Sequence, residues 1–282
     1  RAKHSSAGRG AGGSEATAPG PGVLPANGGL QLENPDAALV KARNRAAKSS
    51  ALSAVSEDAA KAQLLFCFSV MTGRHVEEGL ISTQVAKAAS IFACDDQVVF
   101  GEKKQVLGPG PHAQVHVIGL PSPNKILKHG NRTKATQHLL KSDIYVRAWD
   151  WIFAEKIYRK YTWTVKVDPD CVFLPARLRR HLAFTWAKSS AWADSGLYLR
   201  NCAPTVPNGL GLFGAMEVFS RRAVEVFAGG HVGCLIKLGH KGLNEDLFVQ
   251  ECLDHLSVAH EYDFSLVSDE NCEGQPGMCL GG

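Results

Sequence analysis

Long apolar runs are what this chain most plainly lacks. Nothing in its 282 residues approaches the ~20 consecutive apolar positions that span a bilayer. The longest run, Leu64 to Val70, has the length of a core strand. The sequence opens at Arg1, so a signal or a type II membrane anchor upstream is neither seen nor excluded. Basic tracts interleaved with aromatics are also missing and the formal charge is a mild +4, which makes nucleic acid an unexpected partner. None of the eight cysteines forms a Cys-x-x-Cys pair, which argues against a zinc site. There is no P-loop, no Gly-x-Gly-x-x-Gly and no His/Asp cluster, so a carboxylate-metal phosphoryl enzyme is poorly supported. No internal repeat is present.

What remains is a chain that is 45% hydrophobic, ample for a real core. The even cysteine count is compatible with disulfides in a secretory compartment. Cys272 and Cys279 flank a Gly/Pro-rich loop and are the pair most easily imagined bridged. Cys67 and Cys252 sit in apolar runs, where a buried free thiol is at least as good a reading.

Residues 1–34 are rich in Gly, Ala, Pro and Ser, cannot bury enough surface to offset their ordering entropy, and are expected to be disordered. Residues 35–63 read as a solvated helical stem or linker. The body, residues 64–282, alternates strand and helix signals, which predicts one α/β domain on a largely parallel sheet flanked by helices. Strands are expected at Leu64–Val70, Val98–Phe100, Gln114–Ile118, Trp163–Val167, Tyr198–Leu199 and Leu212–Phe219. Ile81, Val85, Ala88, Ala89 and Phe92 share one helical face, and Trp149, Ile152, Phe153, Ile157 and Tyr161 another. Pro175 opens a helix from the first-turn position that tolerates it. Ser220 can cap a short helix that Gly229-Gly230 would end. Phe248, Cys252 and Leu256 form a stripe on a helix after Asn244.

The chemistry centres on Trp163-Thr-Val-Lys-Val-Asp-Pro-Asp-Cys-Val-Phe-Leu174. An Asp-x-Asp pair alone is near what chance supplies in a chain with 13 aspartates. Here, however, Asp168 and Asp170 follow a β-branched run, and Pro169 between them cannot continue a sheet ladder. The proline should therefore hold both carboxylates at the exposed end of a buried strand, where ligands bind in open α/β sheets. Such a pair suits a divalent cation and the phosphates attached to it, or it is ordinary turn chemistry. Glu245 and Asp246 follow Asn244 at a helix start; one would be a general base at a cleft, or both simply favour the helix dipole. Asp95 and Asp96, at a strand end, would hydrogen-bond a nucleoside or close a turn. Lys166 reads as electrostatic support. The histidines His112, His116, His231, His240, His255 and His260 have no ligand spacing, and Arg177, Arg179 and Arg180 read as a solvated helix face.

Three elements in order carry a family resemblance. Thr164-Val-Lys-Val-Asp-Pro-Asp-Cys-Val-Phe-Leu174 resembles the Lys-x-Asp-Asp-Asp-x-Phe-Val region of Fringe and β-1,3-galactosyltransferase-like enzymes. Gly211-Leu-Phe-Gly-Ala-Met-Glu-Val-Phe-Ser-Arg221 is similar to their Gly-rich strand ending in Ser-Arg, and Glu245-Asp-Leu-Phe-Val249 to their Glu-Asp-Val-Tyr-Val. The similarity covers roughly residues 64–260 and extends to algal and dinoflagellate proteins of this type. It implies a GT-A (nucleotide-diphospho-sugar transferase) fold, a UDP-sugar donor, Mn²⁺ or Mg²⁺, a glycan or glycoprotein acceptor, and a Golgi or ER lumen. Asp168 and Asp170 would match the metal-binding pair, with Asp168, Lys166, Asp95 and Asp96 toward the nucleotide. Asp246 would match the inverting base, with Glu245 the alternative. Two positions depart from the pattern. Pro169 stands where the family has an acid, and the family's downstream histidine ligand has no counterpart after His260, leaving His255 or His260 to serve. The other reading is a GT-A-like protein that binds nucleotide or sugar without turnover.

Overall fold

The computed structural model describes residues 55–73, 75–109, 115–118, 134–186, 192–203, 211–238, 243–269 and Cys272. All belong to a unit spanning Ala47–Gly282. The segment 1–34, most of 35–63 and the tail with Cys279 lie outside them, as do His112 and His240.

A short helix α1 (Glu57–Lys61), capped by the Ser56 hydroxyl on the Ala59 amide, leads into strand β1 (Leu65–Val70). Helix α2 (His75–Ala86) and a 3₁₀ turn (Ser90–Ala93) precede β2 (Asp96–Gly101) and β3 (Val115–Val117). Helix α3 (Lys134–Glu155) brings the chain to β4 (Trp163–Val167), followed by α4 (Pro175–Thr185). Next come β5 (Leu197–Arg200), β6 (Met216–Ser220), α5 (Arg221–Leu238), α6 (Glu245–His255) and β7 (Ala259–Tyr262).

The seven strands form one sheet in the order β3-β2-β1-β4-β6-β5-β7. Pairs β3·β2, β2·β1, β1·β4 and β5·β7 are parallel; β6 runs against both β4 and β5. The carboxyl ends of the other six strands therefore share one edge with the amino end of β6. The mixed α/β fold with a largely parallel sheet is the one anticipated.

Every residue of β1 and β4 is buried, because helices cover both faces, and this is why these strands read as mostly apolar runs, interrupted by Ser69 in β1 and by Thr164 and Lys166 in β4. Phe66, Phe68, Tyr198 and Phe219 pack with α3, α5 and α6 on one face. Cys67, Val165, Val167, Leu199 and Val218 pack on the other with Ile81, Ile91, Leu178 and Leu182. Trp149 of α3 sits 5.0–5.6 Å from the rings of Phe68, Phe153, Phe219 and Phe227, mostly edge-to-face. Such pairs contribute about 0.5–1.5 kcal/mol beyond area burial. At the entry to β5, Gly196 adopts φ +76°, and a Cβ there would lie 2.2 Å from the Ala223 amide nitrogen of α5. Glycine is required both for the backbone angle and for the close approach.

Several expectations change. Ser220 does cap α5, its hydroxyl accepting from the Ala223 amide, but the helix runs through Gly229 and Gly230 to Leu238. Gly230 serves packing instead: a Cβ there would fall 2.3 Å from Leu256 Cδ2 at the end of α6. The strand expected from Leu212 begins only at Met216. The Gly211, Leu212 and Phe213 amides bond side chains, Gln250 and Asn201, rather than a ladder. Strand β7 was not anticipated, since Ala-His-Glu-Tyr is too polar to announce an edge strand. Cys67 and Cys252 are not free thiols. They pair with Cys94 and Cys234, and Cys272 pairs with Cys202 rather than Cys279.

Candidate active site

The carboxyl edge of β4 carries the acidic turn. Asp168 leaves the strand with its amide bonded to the Ala215 carbonyl at 3.0 Å, and the Cys171 amide returns to the Asp168 carbonyl at 3.0 Å. Gln84 of α2 donates to the Pro169 carbonyl at 2.9 Å. The turn is thus held from three directions. Asp168 is partly buried and Asp170 is exposed. Pro175 takes the first-turn position of α4 as expected.

Behind the turn lies a buried charge cluster. Lys166 Nζ is 2.8 Å from Asp168 Oδ1, 3.3 Å from Glu245 Oε2 and 3.6 Å from Glu217 Oε1. It donates to the Gly214 carbonyl at 2.6 Å and lies 4.8 Å from the centre of the Tyr145 ring of α3. Val165 and Val167 face the α4 side of the sheet, so alternation turns Lys166 toward α3, α5 and α6. Glu217 is its direct cross-strand partner on β6. Helix α6 begins over this pair. Its first residue, Glu245, is buried on Lys166, whereas Asp246 is only partly buried. Asp246 Oδ2 accepts from the Gly214 amide at 3.3 Å, and Oδ1 from the Leu247 amide at 2.8 Å. A Cβ on residue 214 would stand 3.2 Å from Lys166 Nζ and 3.3 Å from Asp246 Oδ2, so the glycine lets the two elements close on each other. Asn244 occupies the N-cap position of α6, but its side chain makes no capping bond.

One ammonium faces four carboxyl groups, and the protonation states follow. Burial pulls the Lys166 amine down, but Glu245, Asp168 and Glu217 outweigh it and hold the ammonium well above the usual lysine range. Burial, then the charge of Glu245, push Glu217 well up against the pull of Lys166. Burial also raises Glu245, opposed by Lys166 and reinforced by the neighbouring charges of Asp246 and Asp168. Asp246 is raised by burial, against the Leu247 amide, Lys166 and the Gly214 amide. Burial and the adjacent carboxylates push the Cys171 thiol up to about 11, so it stays neutral at physiological pH.

The structure thus brings Lys166, Asp168, Glu245 and Asp246 into one cluster, with Asp170 on the same turn. Asp95 and Asp96 do not join it. The apolar Ile91-Phe-Ala segment is a 3₁₀ turn, not a strand, so these acids open β2 rather than close a strand. Asp96 aligns with Phe66 and, through it, Thr164, about 13 Å of strand from Asp168. Asp95 Oδ2 accepts from the Leu65 amide (2.7 Å) and Arg179 (2.6 Å), and Asp96 accepts from the Tyr161 hydroxyl at 2.8 Å. Arg179 is thus an ion-pair partner, not merely a solvated face. His255 lies at the far end of α6, and His260 packs against Tyr198 in β7, three strands from β4. Neither reaches Asp168. Glu217 and Tyr145 were not anticipated. The signal for Glu217 is a lone acid inside the apolar strand Met-Glu-Val-Phe; Tyr145 has none beyond its helix face.

Asp168 and Asp170 offer only hard oxygen donors, which suits Mg²⁺ or Mn²⁺. Among the described residues no group of three His, Cys, Asp or Glu side chains could hold a metal. Asp168 and Asp170 alone do not form an all-protein cage, and a cation held by them would need further ligands from a bound molecule.

No protein-family model matches the chain, and no curated protein matches it. Among solved structures, a glycosyltransferase involved in the glycosylation of the major capsid of PBCV-1 is similar at a TM-score of 0.40 and 13% identity, over 71% of this chain and 81% of that one. A likeness of that degree carries no argument about activity; the α/β architecture stands on the sheet described above.

Proposed function

We propose that the protein is an inverting glycosyltransferase that moves a sugar from a UDP-sugar to a hydroxyl of a glycan or glycoprotein. The observation that carries this reading is the convergence of the Asp168-Pro169-Asp170 turn and Asp246 on the carboxyl edge of the sheet, the position where open α/β folds bind ligands. The three ordered sequence elements that resemble Fringe and β-1,3-galactosyltransferase-like enzymes all meet at this edge. In this reading Asp168 and Asp170 hold a divalent cation together with the donor diphosphate. When bound, that cation would offset charge on the departing nucleotide. Asp246 takes the proton of the acceptor hydroxyl as its oxygen bonds the anomeric carbon and the bond from that carbon to the diphosphate breaks. Lys166 and Glu245 keep α6 docked, which fixes where Asp246 points. Three disulfides favour an oxidising compartment, and we place the enzyme in the ER or Golgi lumen.

A second reading is a binding protein without turnover; among the described residues no third side chain joins Asp168 and Asp170 as a metal-holding group. Calorimetry of the full chain with UDP and Mn²⁺ separates these. UDP binding that requires Mn²⁺ and is lost in Asp170→Ala is the expected result, and undiminished binding in that variant would overturn the donor site. Release of UDP from UDP-sugars would then exclude the non-catalytic reading.

A further inference from the structure

The far end of α6 carries a different surface. There the Arg200 guanidinium, at the end of β5, lies 5.6 Å from the Tyr198 ring and 5.7 Å from the Tyr262 ring. It donates to the Tyr198 hydroxyl at 2.9 Å, the Tyr262 hydroxyl at 3.2 Å and Asp254 at 2.5 Å. Tyr262 is 47% exposed and Phe264 43%, with ring centres 5.4 Å apart. The backbone between them is fixed. Asp263 is buried, accepts from His181, Trp186 and Ser265, and donates its amide to the Arg200 carbonyl. Two exposed rings are therefore held side by side on a rigid turn, with the nearly buried Arg200 side chain bracing the Tyr262 hydroxyl.

This surface shares an edge with the candidate active site. Strands β5 and β7 run in the direction of β4, so Arg200 and Tyr262 sit at the same carboxyl edge as Asp168. Two strand steps separate Arg200 from β4 and three separate Tyr262 from it, about 10 and 14 Å. Helix α6 joins the two places, with Asp246 in its first turn and Asp254, the partner of Arg200, in its last, about 12 Å apart along the helix.

We propose that Tyr262 and Phe264, with Arg200 buttressing the Tyr262 ring from behind, form a remote subsite for the acceptor glycan, packing against a pyranose ring some units away from the hydroxyl that reacts. A pyranose has an apolar C–H face that packs flat on an aromatic ring. An anion is disfavoured because Asp254 already offsets the Arg200 charge. A protein partner is disfavoured by area: two rings bury at most about 500 Å², short of the ~800 Å² per partner of a stable protein interface. The word acceptor rests on the transfer reading above; sugar binding itself does not.

The test is binding of the full chain to an array of neutral oligosaccharides graded from disaccharide to hexasaccharide, without donor, for wild type and Tyr262→Ala/Phe264→Ala. UDP titration and thermal unfolding run alongside. The expected result is binding to longer oligosaccharides that weakens about tenfold in the double variant, with its UDP binding and unfolding temperature unchanged. Should the double variant fail to fold, Phe264→Ala alone, which lies outside the sheet, must show the weakening. Wild type that binds no oligosaccharide, or variants that bind as tightly as wild type, overturn the subsite. Ring-dependent oligosaccharide binding without any UDP binding would keep the subsite and remove the donor reading instead.

Discussion

Lys166 is the residue on which the site's electrostatics turn. Its ammonium is the one cation within reach of Asp168, Glu217 and Glu245 among the described residues, and it is almost completely buried. Removing the ammonium leaves the carboxyl groups packed around it, Glu245 and Glu217 among them, buried without a counter-charge. Lys166→Met is expected to destabilise the fold by about 3–5 kcal/mol in chemical denaturation; a loss below about 1 kcal/mol would mean that the cluster does not hold α6. Glu217 tests the protonation pattern. An acid whose folded pKa is raised keeps its proton in the folded state to higher pH than in the unfolded chain. The folded state then binds more protons above the unfolded glutamate value of about 4.3, and stability falls as pH rises through that window. Glu217→Gln cannot ionise, so its unfolding temperature is expected to fall less than that of wild type between about pH 5 and 8. Parallel slopes for the two proteins would contradict a protonated Glu217.

At the scale of elements, the central strands and the turn after β4 were legible because burial on both faces leaves few polar positions, Ser69 in β1 and Thr164 and Lys166 in β4. The Asp-Pro-Asp interruption then stands out against an apolar background. The amphipathic part of α3 and the Pro175 start of α4 were legible for equally local reasons. The ends of β6 and α5 were not, because they depend on neighbours. Gln250 and Asn201 hold the 211–213 amides in a loop, and Leu256 occupies the space that a side chain at residue 230 would need. Gly196 gives the sharpest test at this scale. Gly196→Ala is expected to cost about 1–3 kcal/mol from the positive φ alone, with a further loss from the backbone clash with α5. An unfolding temperature equal to wild type would show that β5 enters α5's flank differently.

For the whole molecule, the disulfides join parts that are distant in sequence. Cys67–Cys94 ties β1 to the segment before β2, Cys234–Cys252 staples α5 to α6, and Cys202–Cys272 anchors the chain beyond β7. Each is expected to contribute about 2–4 kcal/mol, so reduction should lower the unfolding temperature strongly. A non-reducing peptide map should recover these three pairs. A Cys272–Cys279 peptide would restore the pairing that the loop between them suggests and contradict the one found here. Among the described residues no helix is long and apolar enough to cross a membrane.

By itself the sequence determined what depends on neighbours along the chain: an α/β alternation, buried central strands, and a pair of aspartates forced to a strand end by proline. Those are consequences of backbone sterics and of side-chain periodicity, which act over a few residues. Only the tertiary structure decided which acids meet. Strand register put Glu217 opposite Lys166, the start of α6 set Glu245 and Asp246 over them, and parallel pairing sent Asp95 and Asp96 to the other end of the sheet. Charge interactions and disulfides depend on distances in space, and residues 79 positions apart, such as Lys166 and Glu245, announce nothing of their contact along the chain.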